Sequence, residues 1–478
     1  MTTSEPESRT EATEAAPELL KAKGRVLSTL ENDGSRRWIK PRVSSGSLHT
    51  RRMWFAAFLI FVFTVLPFVK VGGRPLLLID ILNREFIIFG LRLLPTDTLL
   101  MALLMVSTFL GIFFFTALFG RVWCGWACPQ TVYMEFVFRP IERLFEGTWG
   151  RGGAPRGKVA GWKTAAKFAV YFVISFYLAH TFLAYFVGVD KLITWIWRST
   201  PLEHPIAFGI IALVTVAMLF DFGYFREQTC IIACPYGRFQ SVLLDRQSSI
   251  VAYHAQRGEP RGKLKKKSAE LPILAPQGDC IDCGNCVTTC PTGIDIRDGL
   301  QLECINCTQC IDACDAVMTK IGKPIGLIRY SSQARDEGER WHLLRPRVIV
   351  YPLILTVLLS VFGILVATRK SFEGVMLRNP GLPFQVEANG EVVNSFRLAL
   401  TNRSDEADTI RIVGVEPSTI RFELTTDSFE VPANGDRTEG IRLFAPKNAF
   451  VGGRLPARIL LESSRGDERA VSCTIVGP

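Results

Sequence analysis

Two matching runs of cysteine constrain this 478-residue chain more than any other feature. The first run has the spacing C-x2-C-x2-C-x3-C-P and consists of Cys280, Cys283, Cys286 and Cys290, followed by Pro291. The second run repeats the spacing 24 residues later, at Cys304, Cys307, Cys310 and Cys314. In two-cluster bacterial ferredoxins this spacing holds two cubanes, and the fourth cysteine of each run binds the other cluster. The runs therefore predict an inserted α+β domain of the two-cluster ferredoxin type.

The crossed pattern divides the eight cysteines into two ligand sets. The first [4Fe–4S] cluster is assigned to Cys280, Cys283, Cys286 and Cys314. The second is assigned to Cys290, Cys304, Cys307 and Cys310. Zinc is disfavoured because two runs of this kind fit no ordinary Cys₄ zinc spacing. Asp315 stands where the first run has Pro291, a difference that affects the exit of the chain and not a ligand.

Five apolar runs, each close to the roughly 20 residues that cross a bilayer, predict a membrane protein. They are Trp54–Val69, Thr98–Phe119, Phe168–Val187, Ile206–Phe222 and Val348–Thr368. Leu76–Ile88 is also apolar, but charged residues interrupt it, and we interpret it as an interfacial helix. The fold class is thus five transmembrane helices with the inserted ferredoxin-like domain.

The distribution of charge predicts the orientation of these helices. The chain carries a formal net charge of +10, and its basic residues concentrate in the connections 120–167 and 223–347. The connection 188–205 has only Lys191 and Arg198. Because cytoplasmic loops are rich in Lys and Arg, the N-terminus and the two basic connections are expected in the cytoplasm. The run Lys263–Lys267 fits a lipid-facing patch, and nucleic acid is not expected as a partner.

The last hundred residues change to a period of two, with apolar residues alternating in short segments between turn signals. This pattern predicts an immunoglobulin-like β-sandwich on the far side of the membrane, because five spans is an odd number. The predicted organisation is a disordered cytoplasmic tail at 1–50, a four-helix membrane domain at 51–245, a ferredoxin domain with flanking linkers at 246–346, a fifth transmembrane helix at 347–369 and the sandwich at 370–478.

Two further cysteine pairs follow the second and fourth apolar runs, Cys124/Cys128 and Cys230/Cys234, each in the pattern Cys-x3-Cys-Pro. A proline suits the first position of a helix, so the preceding cysteine would be an N-cap with a lowered pKa. Two equivalent hairpins packed together would bring four thiols close to one another. Soft thiolates select Cu(I), zinc or iron–sulfur clusters, and a metal that changes valence suits an electron relay. Buried cysteines that only fill space are the alternative.

With these motifs in this order, the chain resembles the CcoG/FixG/RdxA family of accessory proteins for assembly of cbb-type cytochrome c oxidase. The resemblance implies a cupric reductase of the bacterial inner membrane, with the ferredoxin domain cytoplasmic and the sandwich periplasmic. Copper would be the substrate or a bound ion. The resemblance makes candidate catalytic and copper-site residues of Cys124, Cys128, Cys230 and Cys234. The implied partners are membrane lipid, copper ions, an unidentified electron donor, oxidase assembly factors and copper chaperones.

Two alternatives stay open at this point. A quinol dehydrogenase resembling NapH and NosR also joins Cys-x3-Cys-Pro hairpins to a two-cluster domain, although such proteins generally lack the C-terminal sandwich. A non-enzymatic assembly scaffold is the other. His180, within the third apolar run, is a candidate ligand for haem, quinone or copper. The sequence does not decide between a monomer and a homodimer.

Overall fold

A computed structural model of the protein describes residues 27–31, 33, 35–82, 85–93, 97–147, 159–263, 277–340, 342, 344–404, 406–424, 426, 428–433 and 435–478. Most of the predicted tail and the lysines at 265–267 lie outside these residues. Contacts divide the chain into two compact units, Met1–Ser360 and Val361–Pro478. The predicted boundaries between the smaller domains stay predictions.

The helices, in chain order, are α1 (Ser47–Val65), α2 (Thr98–Phe119), α3 (Val122–Trp126), α4 (Pro129–Tyr133), α5 (Arg139–Glu146), α6 (Gly161–Val187), α7 (Val189–Arg198), α8 (Pro205–Phe220), α9 (Pro235–Leu243), α10 (Ala255–Gly258), α11 (Asn285–Thr288), α12 (Gln309–Lys320), α13 (Gln333–Asp336) and α14 (Pro346–Ala367). Three π-helical turns adjoin them at Met134–Phe138, Asp221–Phe225 and Thr229–Ala233. Such turns are rare and often mark functional sites.

Five helices in the described residues are long and apolar enough to cross a membrane, as the sequence predicted. They cover Ser47–Phe68, Thr98–Phe119, Gly161–Val187, Pro205–Phe225 and Pro346–Ala367. Their apolar side chains are largely exposed on the protein surface, which is expected of helices whose solvent is lipid.

The predicted interfacial helix at 76–88 is wrong, because this segment is part of a small antiparallel sheet. The strands around it are β1 (Lys70–Val71), β2 (Arg74–Pro75), β3 (Leu77–Asp80), β4 (Glu85–Ile88) and β5 (Leu91–Leu93). β3 pairs with β4 in the register Leu77 to Ile88, and β4 pairs with β5. Side chains in β3 alternate between buried and half-buried, which is the period of a strand and not of a helix.

The cysteine runs lie between two paired strands, β6 (Ile250–Tyr253) and β7 (Ile328–Ser331). Helix α11 carries Cys286, the third cysteine of the first run, and α12 carries the last two cysteines of the second run. The buried side chains of this module include Leu327, Ile328 and Met318, which pack with the cysteines into one cluster. The strands and short helices give the α+β character that the sequence predicted.

Residues 35–46 are not the disordered tail that the sequence predicted. The Lys40 ammonium pairs with the Glu146 carboxylate at 2.7 Å, on the membrane side of the unit. The Thr289 hydroxyl donates to the carbonyl oxygen of Arg42 at 2.7 Å, on the ferredoxin side. The segment is ordered because its charged side chains meet partly buried carboxylates that a solvated tail would not reach.

The second unit is the predicted antiparallel sandwich. Its strands are β8 (Phe372–Arg378), β9 (Gln385–Val386), β10 (Glu391–Asn402), β11 (Asp408–Glu416), β12 (Arg421–Leu424), β13 (Ser428–Val431), β14 (Asp436–Pro446), β15 (Arg454–Ser463) and β16 (Glu468–Val476). One sheet has the order β12-β14-β10-β8, with β9 also paired to β10, and the other has the order β13-β11-β15-β16. The alternating residues Leu398, Leu400, Ile410 and Leu443 are fully buried between the sheets.

Candidate redox site

Two cavities in the ferredoxin module separate the eight cysteines into two groups. The first is lined by Cys280, Cys283, Cys286 and Cys314. The second is lined by Cys290, Cys304, Cys307 and Cys310, and Cys286 also reaches it. The fourth cysteine of each run thus faces the cavity of the other run. The structure brings together the side chains that the crossed pattern groups, and their role as ligands stays a prediction.

The backbone conformation of the first cysteine run is repeated in the second run. Asp282 and Asn306 occupy the same position of the two runs and have φ values of 51° and 54°. Two residues later, Gly284 and Thr308 have φ values of 66° and 64°. Non-glycine residues adopt this left-handed conformation only where the surroundings hold it. Asn306 is held by its side chain, whose Oδ1 accepts from the Val251 amide at 3.2 Å.

Burial makes these thiols weak acids in the absence of a cofactor. It raises the pKa of Cys304 to about 11 and the pKa values of Cys286, Cys307 and Cys314 to about 12. Since metal centres bind thiolates, loading this module releases protons, and the free energy of binding must offset that cost. A donor set of eight sulfurs in two enclosed groups fits two [4Fe–4S] clusters, and the described chain offers these cavities no competing charged ligand.

The Cys-x3-Cys-Pro pairs adopt the predicted cap. Cys128 is the N-cap of α4, which begins at Pro129, and Cys234 is the N-cap of α9, which begins at Pro235. Four residues before the first cysteine of each pair, Gly120 and Arg226 end the preceding helices with φ values of 58° and 56°. The matching conformations support the predicted duplication of the two hairpins.

The predicted lowering of the thiol pKa is wrong for the first cap, Cys128. Burial, followed by repulsion from Cys128, raises the pKa of Cys124 to about 12. Burial also raises the pKa of Cys128 and of Cys230. Desolvation therefore outweighs the helix N-terminus, and these thiols need a metal cation to become thiolates.

The two pairs lie in one neighbourhood. The Cys124 thiol donates to Oε1 of Gln240 on α9, the helix that Cys234 caps, at 3.0 Å. Cys230 is close enough to the other three thiols for their charges to interact. In the described part of the chain, however, no three His, Cys, Asp or Glu side chains converge to hold a single metal ion. The predicted convergence is therefore a shared neighbourhood and not a finished single-ion site.

The first pair packs directly against the second cysteine run of the ferredoxin module. A Cβ atom on Gly125 would lie 2.4 Å from the carbonyl oxygen of Ile305, between Cys304 and Cys307. Arg52 of α1 is buried and donates from Nη2 to the Gly125 carbonyl oxygen at 2.8 Å. The close approach leaves no room for a side chain and brings α3, the helix that carries Cys124, against the loop of the second cavity.

A buried arginine connects three parts of this site. Arg121, three residues before Cys124, donates from Nη2 to the Gly237 carbonyl oxygen at 2.6 Å. Its Nη1 donates to the carbonyl oxygens of Leu302 and Cys304. One guanidinium thus holds the first hairpin, helix α9 and the second cysteine run together.

Comparison with known proteins agrees with this architecture. Residues 101–151 match a 4Fe-4S binding domain family, residues 225–333 match a 4Fe-4S dicluster domain family, and residues 362–478 match the IG-like fold at the C-terminus of FixG. Protein RdxA of Cereibacter sphaeroides is 34% identical over 457 residues, which cover 90% of this chain and 94% of RdxA. The nitrogen fixation protein FixG of Rhizobium meliloti is 31% identical, over 82% of this chain and 83% of FixG. The chain belongs to the FixG/RdxA family.

A crystal structure of a FixG-related protein from Vibrio parahaemolyticus is 13% identical, with a TM-score of 0.20, and the match covers 23% of this chain and 98% of that one. The relatives, the iron–sulfur domains and the apolar helices together identify this FixG/RdxA-family chain as a membrane iron–sulfur protein. Its role is electron transfer, and its class is oxidoreductase.

A buried network of charges frames the redox site of this family member. Arg226 makes a two-pronged contact with Glu142, with N–O distances of 2.9 and 3.0 Å. Arg139 pairs with Glu135 and Glu227 and donates to the Pro291 carbonyl oxygen at 3.3 Å, next to Cys290. The network links the hairpins to the ferredoxin module, and most of its members are almost fully buried.

The sequence did not predict these contacts of Arg139 and Arg226 with buried carboxylates, because its basic residues were interpreted only as indicators of membrane topology. One signal was present, because an arginine precedes each cysteine pair, Arg121 in the first and Arg226 in the second.

His180 is not part of the site. Its Nδ1 lies 2.8 Å from the Phe176 carbonyl oxygen of its own helix, and its ring stacks edge-on against Phe176.

Proposed function

We propose that this FixG/RdxA-family protein is a cupric reductase that converts Cu(II) to Cu(I) for assembly of a cbb-type cytochrome c oxidase. The observation that carries the proposal is the position of the two Cys-x3-Cys-Pro pairs. Their four thiols share one neighbourhood, and the first pair lies against the second cysteine run through Gly125 and Ile305. A thiol site in contact with an electron-carrying module suits a one-electron reduction of a soft metal.

The ferredoxin module would hold its two clusters with the ligand sets grouped around the two cavities. When bound, such clusters exchange single electrons at potentials of roughly −700 to +450 mV. The chain contributes the enclosure, the tight loops at Gly284 and Asn306, and the backbone contact to the cysteine pair.

Copper is the substrate in this proposal. Cu(II) accepts nitrogen and oxygen ligands readily, whereas thiolates favour Cu(I), so a cysteine site raises the potential of bound copper. Each Cu(II) takes up one electron and leaves as Cu(I). Because burial keeps Cys124 and Cys128 protonated, binding of the ion displaces thiol protons to solvent.

The orientation in the membrane belongs to the same proposal. The basic connections support a cytoplasmic ferredoxin module and a periplasmic sandwich in the inner membrane. Copper chaperones and oxidase assembly factors would then receive Cu(I) from a protein whose reducing module faces the cytoplasm.

The test replaces both cysteines of one pair, Cys124→Ser with Cys128→Ser, in the full chain reconstituted with iron and sulfide. The protein is reduced with dithionite, the excess dithionite is removed, and a Cu(I)-specific chelator then reports the Cu(I) formed when Cu(II) is added. We expect cupric reduction to be lost while about eight iron atoms per chain remain. Cys473→Ser, a half-buried thiol of the sandwich, is the matched control and should leave both quantities unchanged.

Other outcomes identify the alternatives. A loss of about four iron atoms from the double variant would mean that the pairs hold a third cluster. Unchanged cupric reduction in a folded, iron-replete variant would remove the pairs from the copper reaction. A wild-type protein that transfers electrons to a periplasmic reductase but not to Cu(II) would be a quinol dehydrogenase, and one that does neither would be a scaffold.

A further inference from the structure

A large apolar cavity lies beside the first cysteine pair, between three of the long helices and α4. Its volume is about 530 Å³. Leu59, Ile60 and Phe63 of α1, Val214 and Met218 of α8, and Phe182 of α6 form part of its wall. These residues belong to helices that can span a membrane, so the cavity is open to ligands dissolved in lipid.

Three polar side chains, those of Tyr133, Asp221 and Gln130, interrupt the apolar wall, and the Gln130 amide Nε2 donates to the Arg226 carbonyl oxygen at 3.2 Å. The Tyr133 side chain is 8% exposed, and its hydroxyl has no hydrogen-bond partner among the described residues. Asp221, on the first π-helical turn after α8, also lines the cavity and accepts a hydrogen bond from Thr229. A buried hydroxyl without a partner costs free energy that a ligand oxygen would recover.

The cavity lies next to one of the cysteine pairs, although no cysteine is part of its wall. Ala127 and Pro129, the two neighbours of Cys128, are part of its wall. Asp221 is close enough to Cys128 and to Cys230 for their charges to interact. A ligand in the cavity would therefore lie beside the group of cysteines to which the proposed function assigns copper reduction.

We propose that this cavity binds a membrane quinol, which serves as the electron donor for the cysteine site. An isoprenoid quinol combines an apolar ring and tail with two hydroxyl groups, which suits an apolar wall that carries a few polar side chains. A lipid acyl chain would fill the same volume but would leave the Tyr133 hydroxyl without a partner. The proposal rests on the proposed function for its acceptor, because it takes copper as the species that is reduced.

The reaction balances with copper alone as acceptor. One quinol loses two electrons and two protons and leaves as the quinone, while two Cu(II) ions become two Cu(I) ions. Asp221 is placed to accept the first proton from a quinol hydroxyl, and both protons end in water. Tyr133 is placed to donate a hydrogen bond to a quinol or quinone oxygen.

The test compares two valine-to-tryptophan variants of one helix in proteoliposomes of the full chain. Val214 lines the cavity, whereas Val216 is 63% exposed on the lipid side of the same helix. Cupric reduction is measured with decylubiquinol and, separately, with protein that was reduced by dithionite and freed of the excess, and the rate without protein is subtracted from each. For Val214→Trp we expect the ratio of the quinol-driven to the dithionite-driven rate to fall about tenfold or more. Val216→Trp should keep the wild-type ratio.

A binding measurement accompanies the rates. A photoreactive azidoquinone should label peptides that contain Tyr133 or Asp221 in the wild type and in Val216→Trp, and labelling should be lost in Val214→Trp. Asp221→Asn should keep the labelling and lower the quinol-driven rate. Equal quinol-driven rates or equal labelling in the two tryptophan variants would overturn the proposal. Absence of dithionite-driven cupric reduction in the wild type would instead overturn the proposed function, while specific labelling would still support the quinol site.

Discussion

Gly125 and Ile305 meet backbone to backbone, and a Cβ atom on the glycine would lie only 2.4 Å from the isoleucine carbonyl oxygen. The two residues are far apart in the sequence and belong to different cysteine motifs. Because neither backbone can move without shifting a cysteine, this contact fixes the first cysteine pair relative to the second run. It is the structural basis for treating the two motifs as one redox site.

Gly125→Ala should therefore destabilise the protein and disturb the site. Overpacking at a rigid contact costs about 1–3 kcal/mol. Gly111 is the matched control, since a Cβ atom there meets nothing within 4 Å. Thermal unfolding in detergent and dithionite-driven cupric reduction should both decline for Gly125→Ala and not for Gly111→Ala. Equal behaviour of the two variants would show that the contact is not tight in solution.

The crossed ligand sets make a specific prediction for Cys290. Cys290→Ser should reproduce the electron paramagnetic resonance spectrum of Cys304→Ser, although Cys290 belongs to the first run, because both cysteines line the second cavity. Cys314→Ser should in the same way resemble Cys280→Ser. Each variant should lose the signal of one cluster, with up to about four iron atoms. A Cys290→Ser spectrum that matched Cys280→Ser would exclude crossed ligation.

The cysteine spacing predicted how the eight cysteines group around the two cavities. Cysteines a few residues apart in the chain must lie around one point, and the second run repeats the spacing of the first. The contact of Gly125 with Ile305 and the anchoring by Arg121 were not predictable, since they depend on how distant segments pack. The segment at 76–88 was misassigned because charged residues that interrupt an apolar run also fit an interfacial helix, whereas the alternation of its buried side chains is that of a strand. The order of residues 35–46 was missed because their charges were interpreted without their buried partners, such as Glu146.

Orientation can be tested at the C-terminus. The basic connections predict a periplasmic sandwich, so a reporter that functions only in the periplasm should be active when it is fused after Pro478. The same reporter inserted at residue 263 should be inactive, because the ferredoxin segment is expected in the cytoplasm. Identical compartments for both fusions would mean that an even number of helices crosses between them.

A carboxylate of the ferredoxin module caps α1, the first long helix. Removal of this carboxylate should therefore lower the stability of the protein and loosen the start of α1. The Asp312 carboxylate on α12 accepts from the amides of Leu48 and His49, at 3.3 and 2.7 Å, where the N-cap residue Gly46 offers no side chain. Asp312→Ala should cost about 0.5–2 kcal/mol, the usual range for a lost N-cap. Faster hydrogen exchange at the Leu48 and His49 amides should accompany it. Asp298→Ala, at an exposed carboxylate, is the control and should change neither quantity.

The buried pair of Glu142 and Arg226 predicts how stability depends on pH. Burial alone would raise the pKa of Glu142, but the guanidinium of Arg226 outweighs it and lowers that pKa to about 2. An unfolded Glu has a pKa of about 4.3. Because the folded pKa is the lower one, the pair stabilises the protein fully above about pH 5, and this contribution is lost as the pH falls towards 2.

Glu142→Gln tests this prediction, because it removes the two-pronged partner of Arg226 and leaves the buried guanidinium only a 3.5 Å contact with Glu227. The loss should cost up to about 3–5 kcal/mol near neutral pH. The difference in unfolding free energy between wild type and variant should shrink as the pH is lowered from about 5 to 2, since protonation then removes the same charge from the wild type. Glu339→Gln, at a half-exposed ion pair with Arg246, should cost at most about 1 kcal/mol. A difference for Glu142→Gln that stayed constant across this range would mean that the carboxyl does not titrate there. The network that joins the hairpins to the ferredoxin module would then not depend on its charge.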